Sequence, residues 1–306
     1  MKIRKISGRF VSDLKDEDKR LNWVFKKVMA PDSLFSLEIR EGYINIYYRG
    51  GSILKITEPN EDGQDYKFEF DKKYGKKKNG DYCKFMGDHQ NDVAKLTNET
   101  AQSYFDEFIV MMDRWFKEHP KPEREFQHYM SLQKNNENVL DIEYAIDGMR
   151  IDMILIGKEG ELYLVENKYG NGSLSSELYK GKEKAGLAKH YGDFIKVLTE
   201  KKYINNIKES MESILEIKQE LGMIPTTYRL KLDKNGKPSF NILFVLADLT
   251  LSPKSKIIDR EKQHIEKDYK SYKFKFTPKV LCVGKEQYSI DLNNAQELLT
   301  FSLKNR

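Results

Sequence analysis

The chain has 306 residues and a mass of 36.0 kDa, long enough for two ordinary domains or one elaborated one and too long for a single small module. Hydrophobic residues make up 39% and charged residues 33%, against roughly 45–50% and 25% in an average soluble domain, while an aromatic fraction of 12% supplies large core side chains and excludes wholesale disorder. The 53 basic and 48 acidic residues nearly cancel, to a net +5, so total charge permits a nucleic-acid partner without arguing for one, and a phosphate-binding face has to be local.

Short aromatic or β-branched runs at 35–39, 43–48 and 53–56, punctuated by Glu41-Gly42 and Gly50-Gly51, predict a β-meander. A fourth run, 66–70, leads into the lysine-rich tract 71–80, whose one apolar residue is Tyr74. That tract reads as a solvated loop. From 92 to 119 the period becomes helical, and Pro120 and Pro122 end that helix and mark the expected domain boundary. The expected division is a β-rich N-terminal domain, 1–120, for recognition or partner docking, and a second domain, 121–306. Its tyrosines, with Arg49 and Lys55, are of the kind that can stack bases, though such rings more often form core.

In the second half a helix is predicted from Glu123, then strands at 139–146, 150–156 and 161–168 joined by the tight turns Asp147-Gly148 and Lys158-Glu159-Gly160. Helical pattern follows at 178–198 and 204–221. The apolar run 240–246 predicts an interior strand; a strand at 279–283 and a helix at 295–303 end the chain. Cys83 and Cys282 form no CxxC pair and the five histidines show no ligand spacing, so neither a disulfide framework nor zinc is expected. The N-terminus lacks the apolar stretch of a signal peptide, and no run approaches the roughly 20 apolar residues of a membrane span. A cytoplasmic protein with no membrane partner is the expectation.

Chemistry concentrates in RIDMILIGKEGELYLVENKYG. Strand alternation puts Glu166 and Lys168 on one face of their strand, and a short turn lets Asp152 on the preceding strand lie near Glu166. Two carboxylates on apolar strands repel and are desolvated, and a divalent cation offsets both. Oxygen ligands of this kind suit Mg²⁺ or Mn²⁺, and Lys168 is placed to orient or deprotonate a water, or to steady charge on a phosphate. Lys180, Lys182, Lys184 and Lys189, near the glycine-rich YGNGSLSS segment, suit phosphate contacts, as the lysines of 72–78 also do, with a solvated helix face as the plain alternative. Lys189, His190 and Tyr191 are candidate neighbours of the site, and Tyr191 also falls on the apolar stripe.

The order helix, strand, strand with Asp, strand ending in Glu-x-Lys, helix, strand resembles the PD-(D/E)xK nuclease superfamily. Asp152 matches its metal-binding Asp, Glu166 its second acidic ligand and Lys168 its catalytic lysine, and Glu125 or Glu123 matches a metal-site Glu of its first helix, Glu125 being preferred. The proline that often precedes the family's Asp is replaced by Arg150-Ile151, and Leu187 stands where some recombination-type members carry Gln in a Gln-x-x-x-Tyr motif. The resemblance covers roughly 123–249. It implies an α/β (α+β-like) restriction-endonuclease-like core with a central mixed sheet flanked by helices, Mg²⁺ or Mn²⁺ as cofactor, and metal-dependent endonuclease chemistry on nucleic acid. DNA is favoured over RNA, in restriction, repair or phage defence, with a homodimer compatible. The competing expectation is a non-catalytic nucleic-acid-binding or scaffolding protein of the same shape.

Overall fold

A computed structural model describes residues 2–59, 65–176, 185–251, 255–271 and 276–302. Contacts divide the chain into two compact units, 2–137 with 213–224, and 138–212 with 225–306. The division falls after Glu137, whereas proline content alone suggested 120.

In the first unit, helices α1 (Gly8–Lys15) and α2 (Asn22–Met29) precede a four-stranded antiparallel sheet of β1 (Phe35–Ile39), β2 (Tyr43–Tyr48), β3 (Gly51–Thr57) and β4 (Lys67–Glu69) in that order. The first two helices correct the expectation of strands and turns: each is only eight residues long, and Ser7 caps α1 by accepting the Phe10 N–H. The β2–β3 turn uses Arg49 (φ 49°) and Gly50 (φ 77°), both left-handed, the geometry that matches strand twist. Leu37, Ile39, Ile44, Ile46, Leu54 and Ile56 share one buried sheet face.

Beyond a short 3₁₀ turn at Lys72–Gly75 lie α3 (Lys84–Asp88), α4 (Gln90–Ala94), α5 (Asn98–Ser103), α6 (Phe105–Glu118) and α7 (Pro122–Ser131). The expected lysine-rich loop is thus anchored: Tyr74 is buried against Phe70, Trp115 and Phe116. The single helix expected at 92–119 is broken into α4, α5 and α6. One cause is Thr97, whose hydroxyl accepts the Thr100 N–H and starts a new helix inside the periodic run. With so many helices the unit is mixed rather than β-rich.

The second unit is built on a six-stranded mixed sheet, β10-β9-β8-β7-β6-β5, made of β5 (Val139–Ile146), β6 (Met149–Ile156), β7 (Leu162–Tyr169), β8 (Phe240–Ala247), β9 (Pro278–Val283) and β10 (Gln296–Glu297). β5, β6 and β7 run antiparallel, β7, β8 and β9 parallel, and β10 antiparallel to β9. The Asp147-Gly148 turn has φ 47° and 76°, as expected of that dipeptide. The β7–β8 crossover contains α8 (Leu187–Thr199) and α9 (Lys201–Glu220), and the β8–β9 crossover contains α10 (Ile257–Ser271), a helix that its dense charge concealed in the sequence. The C-terminal helix expected at 295–303 is instead strand β10 followed by a turn, because the Leu298 N–H donates to the Pro278 carbonyl at the sheet edge and Leu298 is buried there. β7 and β8 are buried almost throughout, as central strands covered on both faces are. Phe194 of α8 stacks on Phe244 of β8, so α8 covers the face that carries Glu166 and Lys168. No helix among the described residues is long and apolar enough to cross a membrane. The observed class is mixed α/β, as composition and pattern indicated.

Candidate active site

The β6–β7 ladder runs from Ile156↔Leu162 to Met153↔Val165. There a side chain takes over from the backbone: the Asn167 N–H donates to Asp152 Oδ2 at 2.9 Å. β6 stays paired with β5 back to Met149, and β7 with β8 on to Tyr169, so the sheet opens between β6 and β7 at Asp152. The alternation of the strands places Asp152, Ile154, Leu164, Glu166 and Lys168 on the same face. Asp152 is 9% exposed and Glu166 and Lys168 4% each.

Lys168 Nζ donates to Glu166 Oε1 at 2.8 Å and to the Ala185 carbonyl at 2.7 Å. His190, one turn into α8, places Nε2 3.0 Å from the same Glu166 oxygen. The other oxygen, Glu166 Oε2, is buried and has no hydrogen-bond partner. Burial, with the Glu166 charge adding to it, pushes the Asp152 carboxyl up to about 8. Burial acts the same way on Glu166, yet the His190 hydrogen bond and the Lys168 charge outweigh it and hold that carboxyl below its ordinary value. The two carboxylates therefore differ: one is held ionised by the His190 hydrogen bond and the Lys168 charge, the other resists ionising.

Such a donor set fits a hard divalent cation. An unpartnered buried carboxylate oxygen beside a second carboxylate is a binding opportunity, and Mg²⁺ is commonly held by one or two carboxylates while keeping several waters. Asp152 and Glu166 would hold it. Among the described residues no group of three or more His, Cys, Asp and Glu side chains is arranged to hold a metal ion, so a cation at this place would have only these two carboxylates from the described residues.

Of the other residues singled out by sequence, Glu125 lies on α7 in the first unit, where its carboxylate accepts from Arg49 Nε at 2.8 Å. Lys189 is half-buried and pairs with Asp193 at 2.5 Å. Lys180, Lys182 and Lys184 lie outside the described residues. Tyr191 is corrected: it is 0% exposed and its hydroxyl donates to the Phe276 carbonyl, so it packs the core and offers no surface to a phosphate. His190, a candidate neighbour of the site by sequence, is brought directly onto Glu166. Its separation from Glu166 in sequence hides the contact, and the one signal available was its place between Lys189 and Tyr191 in the helical pattern that follows Glu-x-Lys. No family model, no curated protein and no solved structure matches the chain.

Proposed function

We propose that the protein is a divalent-metal-dependent nuclease that hydrolyses phosphodiester bonds in nucleic acid, DNA before RNA. The observation that carries this reading is the burial of Asp152, Glu166 and Lys168 on one face where β6 and β7 part, with Glu166 Oε2 unpartnered. Strand order and direction around this opening support the restriction-endonuclease-like reading of the second unit, and a role in restriction, repair or phage defence follows from that resemblance.

When bound, Mg²⁺ or Mn²⁺ supplies Lewis-acid activation of a phosphodiester and its attacking water. The chain's own groups do the rest. Lys168, held by Glu166 and Ala185, keeps one of its three N–H donors for a phosphate oxygen, whose charge it would steady, or for the water. His190 and Lys168 keep Glu166 ionised and fixed in orientation.

Plasmid, linear duplex, single-stranded DNA and RNA, each incubated with Mg²⁺ or Mn²⁺, test the reading. Cleavage by the wild-type chain is expected, with Asp152→Ala and Lys168→Ala at least about a hundredfold slower. Equal degradation by all three proteins identifies contamination and overturns it. The second reading, a non-catalytic binding protein, is favoured by the way Lys168 and His190 already engage Glu166 Oε1; duplex binding with no cleavage and no thermal response to either cation selects it.

A further inference from the structure

Glu261, on the first turns of α10, is 1% exposed, and a carboxylate is costly to bury unless it is fully engaged. Its partners are unusual for a residue so distant in sequence. Oε1 accepts the Ser176 N–H at 2.8 Å, while Oε2 accepts the Ser176 hydroxyl at 2.7 Å and the Ala188 N–H at 2.9 Å. Ser176 Oγ in turn accepts the Lys189 N–H at 3.1 Å. Ala188 and Lys189 are the second and third residues of α8, whose own N-cap, Gly186, has no side chain to satisfy the open N–H groups of the first turn. Glu261 therefore caps α8 from another helix, directly and through Ser176, with its negative charge at the positive end of the helix dipole.

The chain around this cap is tightly fitted. The Leu187 N–H donates to the Leu174 carbonyl, and a Cβ on Gly186 would lie 2.2 Å from the Ser175 carbonyl carbon and the Ser176 nitrogen. Two contacts that the described residues of α8 and Ala185 before it make with the candidate site originate here: the Ala185 carbonyl accepts from Lys168, and His190 bonds Glu166. Where the first turn of α8 sits sets where both partners sit.

We infer that Glu261 is a positioning residue for the Glu166–Lys168 site: by fixing Ser176 and the first turn of α8, it places Ala185 and His190 so that Lys168 and Glu166 are held in their working geometry. This rests on the nuclease reading for its catalytic consequence, since a misplacement of about 1 Å in supporting groups can cost about a hundredfold in rate.

The test compares wild type with Glu261→Ala, Glu261→Gln and, as a destabilised control on the same helix, Ile265→Ala, which removes a fully buried apolar side chain. Kinetics are measured on linear duplex with Mg²⁺, at a temperature well below every variant's Tm. Expected is a fall in kcat of about 10- to 100-fold for Glu261→Ala with KM within about twofold, partial recovery in Glu261→Gln, which keeps one acceptor oxygen, and near-wild-type kcat in the control. Glu261→Ala matching the control in kcat overturns the inference. The ring resonances of His190 and amide exchange at Ala188 and Lys189 give a reading independent of turnover. If the wild-type chain cleaves nothing, the nuclease reading fails alone when Glu261→Ala shifts the His190 signals and the control does not; unchanged His190 signals overturn the positioning role.

Discussion

Asp152 and Glu166 occupy equivalent faces of neighbouring strands and meet opposite electrostatic fates. Glu166 has two cationic or hydrogen-bonding neighbours on one oxygen; Asp152 has a backbone N–H, a nearby negative charge and deep burial. Replacing Asp152 with Asn removes the repulsion and the desolvation cost while keeping an acceptor for the Asn167 N–H. Without divalent cations, thermal unfolding should therefore show Asp152→Asn more stable than wild type, by about 1–3 kcal/mol. Added Mg²⁺ should raise the Tm of the wild type and leave the variant unmoved. Lys168→Met acts the other way, leaving a buried carboxylate short of its charge partner, and should lower stability by about 3 kcal/mol, read from the urea midpoint at constant m-value. Alternation along a strand made the shared face of Glu166 and Lys168 legible in the sequence, and the tight turn at Gly160 made Asp152 a plausible neighbour. The Asp152–Asn167 bond was not legible, because it depends on where a backbone ladder stops.

At the level of elements, local chemistry explains most boundaries. The Arg49-Gly50 turn is held between α6 and α7: Arg49 pairs with Asp113 and Glu125, and a Cβ on Gly50 would stand 2.3 Å from Arg124 Cγ and 2.7 Å from its carbonyl oxygen. Gly50→Ala incurs both the left-handed backbone penalty of about 1–2 kcal/mol and this clash, so a lowered Tm and loosened amide protection across β2 and β3 are expected. His128 on α7 is fully enclosed; its Nε2–H donates to the Leu34 carbonyl and Nδ1 has no partner, and burial holds its pKa down to about 4. The unfolded chain takes up a proton below about 6.5, which the folded chain resists until about 4. Stability is then whole above pH 6.5 and declines as pH falls across that window, by about 3 kcal/mol in all. Urea midpoints at pH 7, 6 and 5 should show this slope, and His128→Gln should flatten it. Helices α1, α2 and α10 escaped sequence reading for a shared reason: they are short or densely charged, and only packing against neighbours marks which residues face inward.

Across the whole molecule, each unit has its own sheet and core, and the candidate site lies within the second. A bound divalent cation should add about 2.7 kcal/mol at a hundredfold excess over Kd, and hydrogen exchange should show the added protection in β6, β7 and α8, not in β1–β3. By itself the sequence determined the strands of both sheets except β10, the tight turns between them and the Asp152, Glu166, Lys168 constellation, because period-two alternation and turn chemistry are local properties that neighbouring residues carry. Tertiary structure alone decided that the Tyr191 hydroxyl donates to the Phe276 carbonyl, that His190 reaches Glu166, and that Glu261 caps a helix more than seventy residues away. Those outcomes depend on how helices lie over a sheet, which is settled by packing between segments that no local pattern relates.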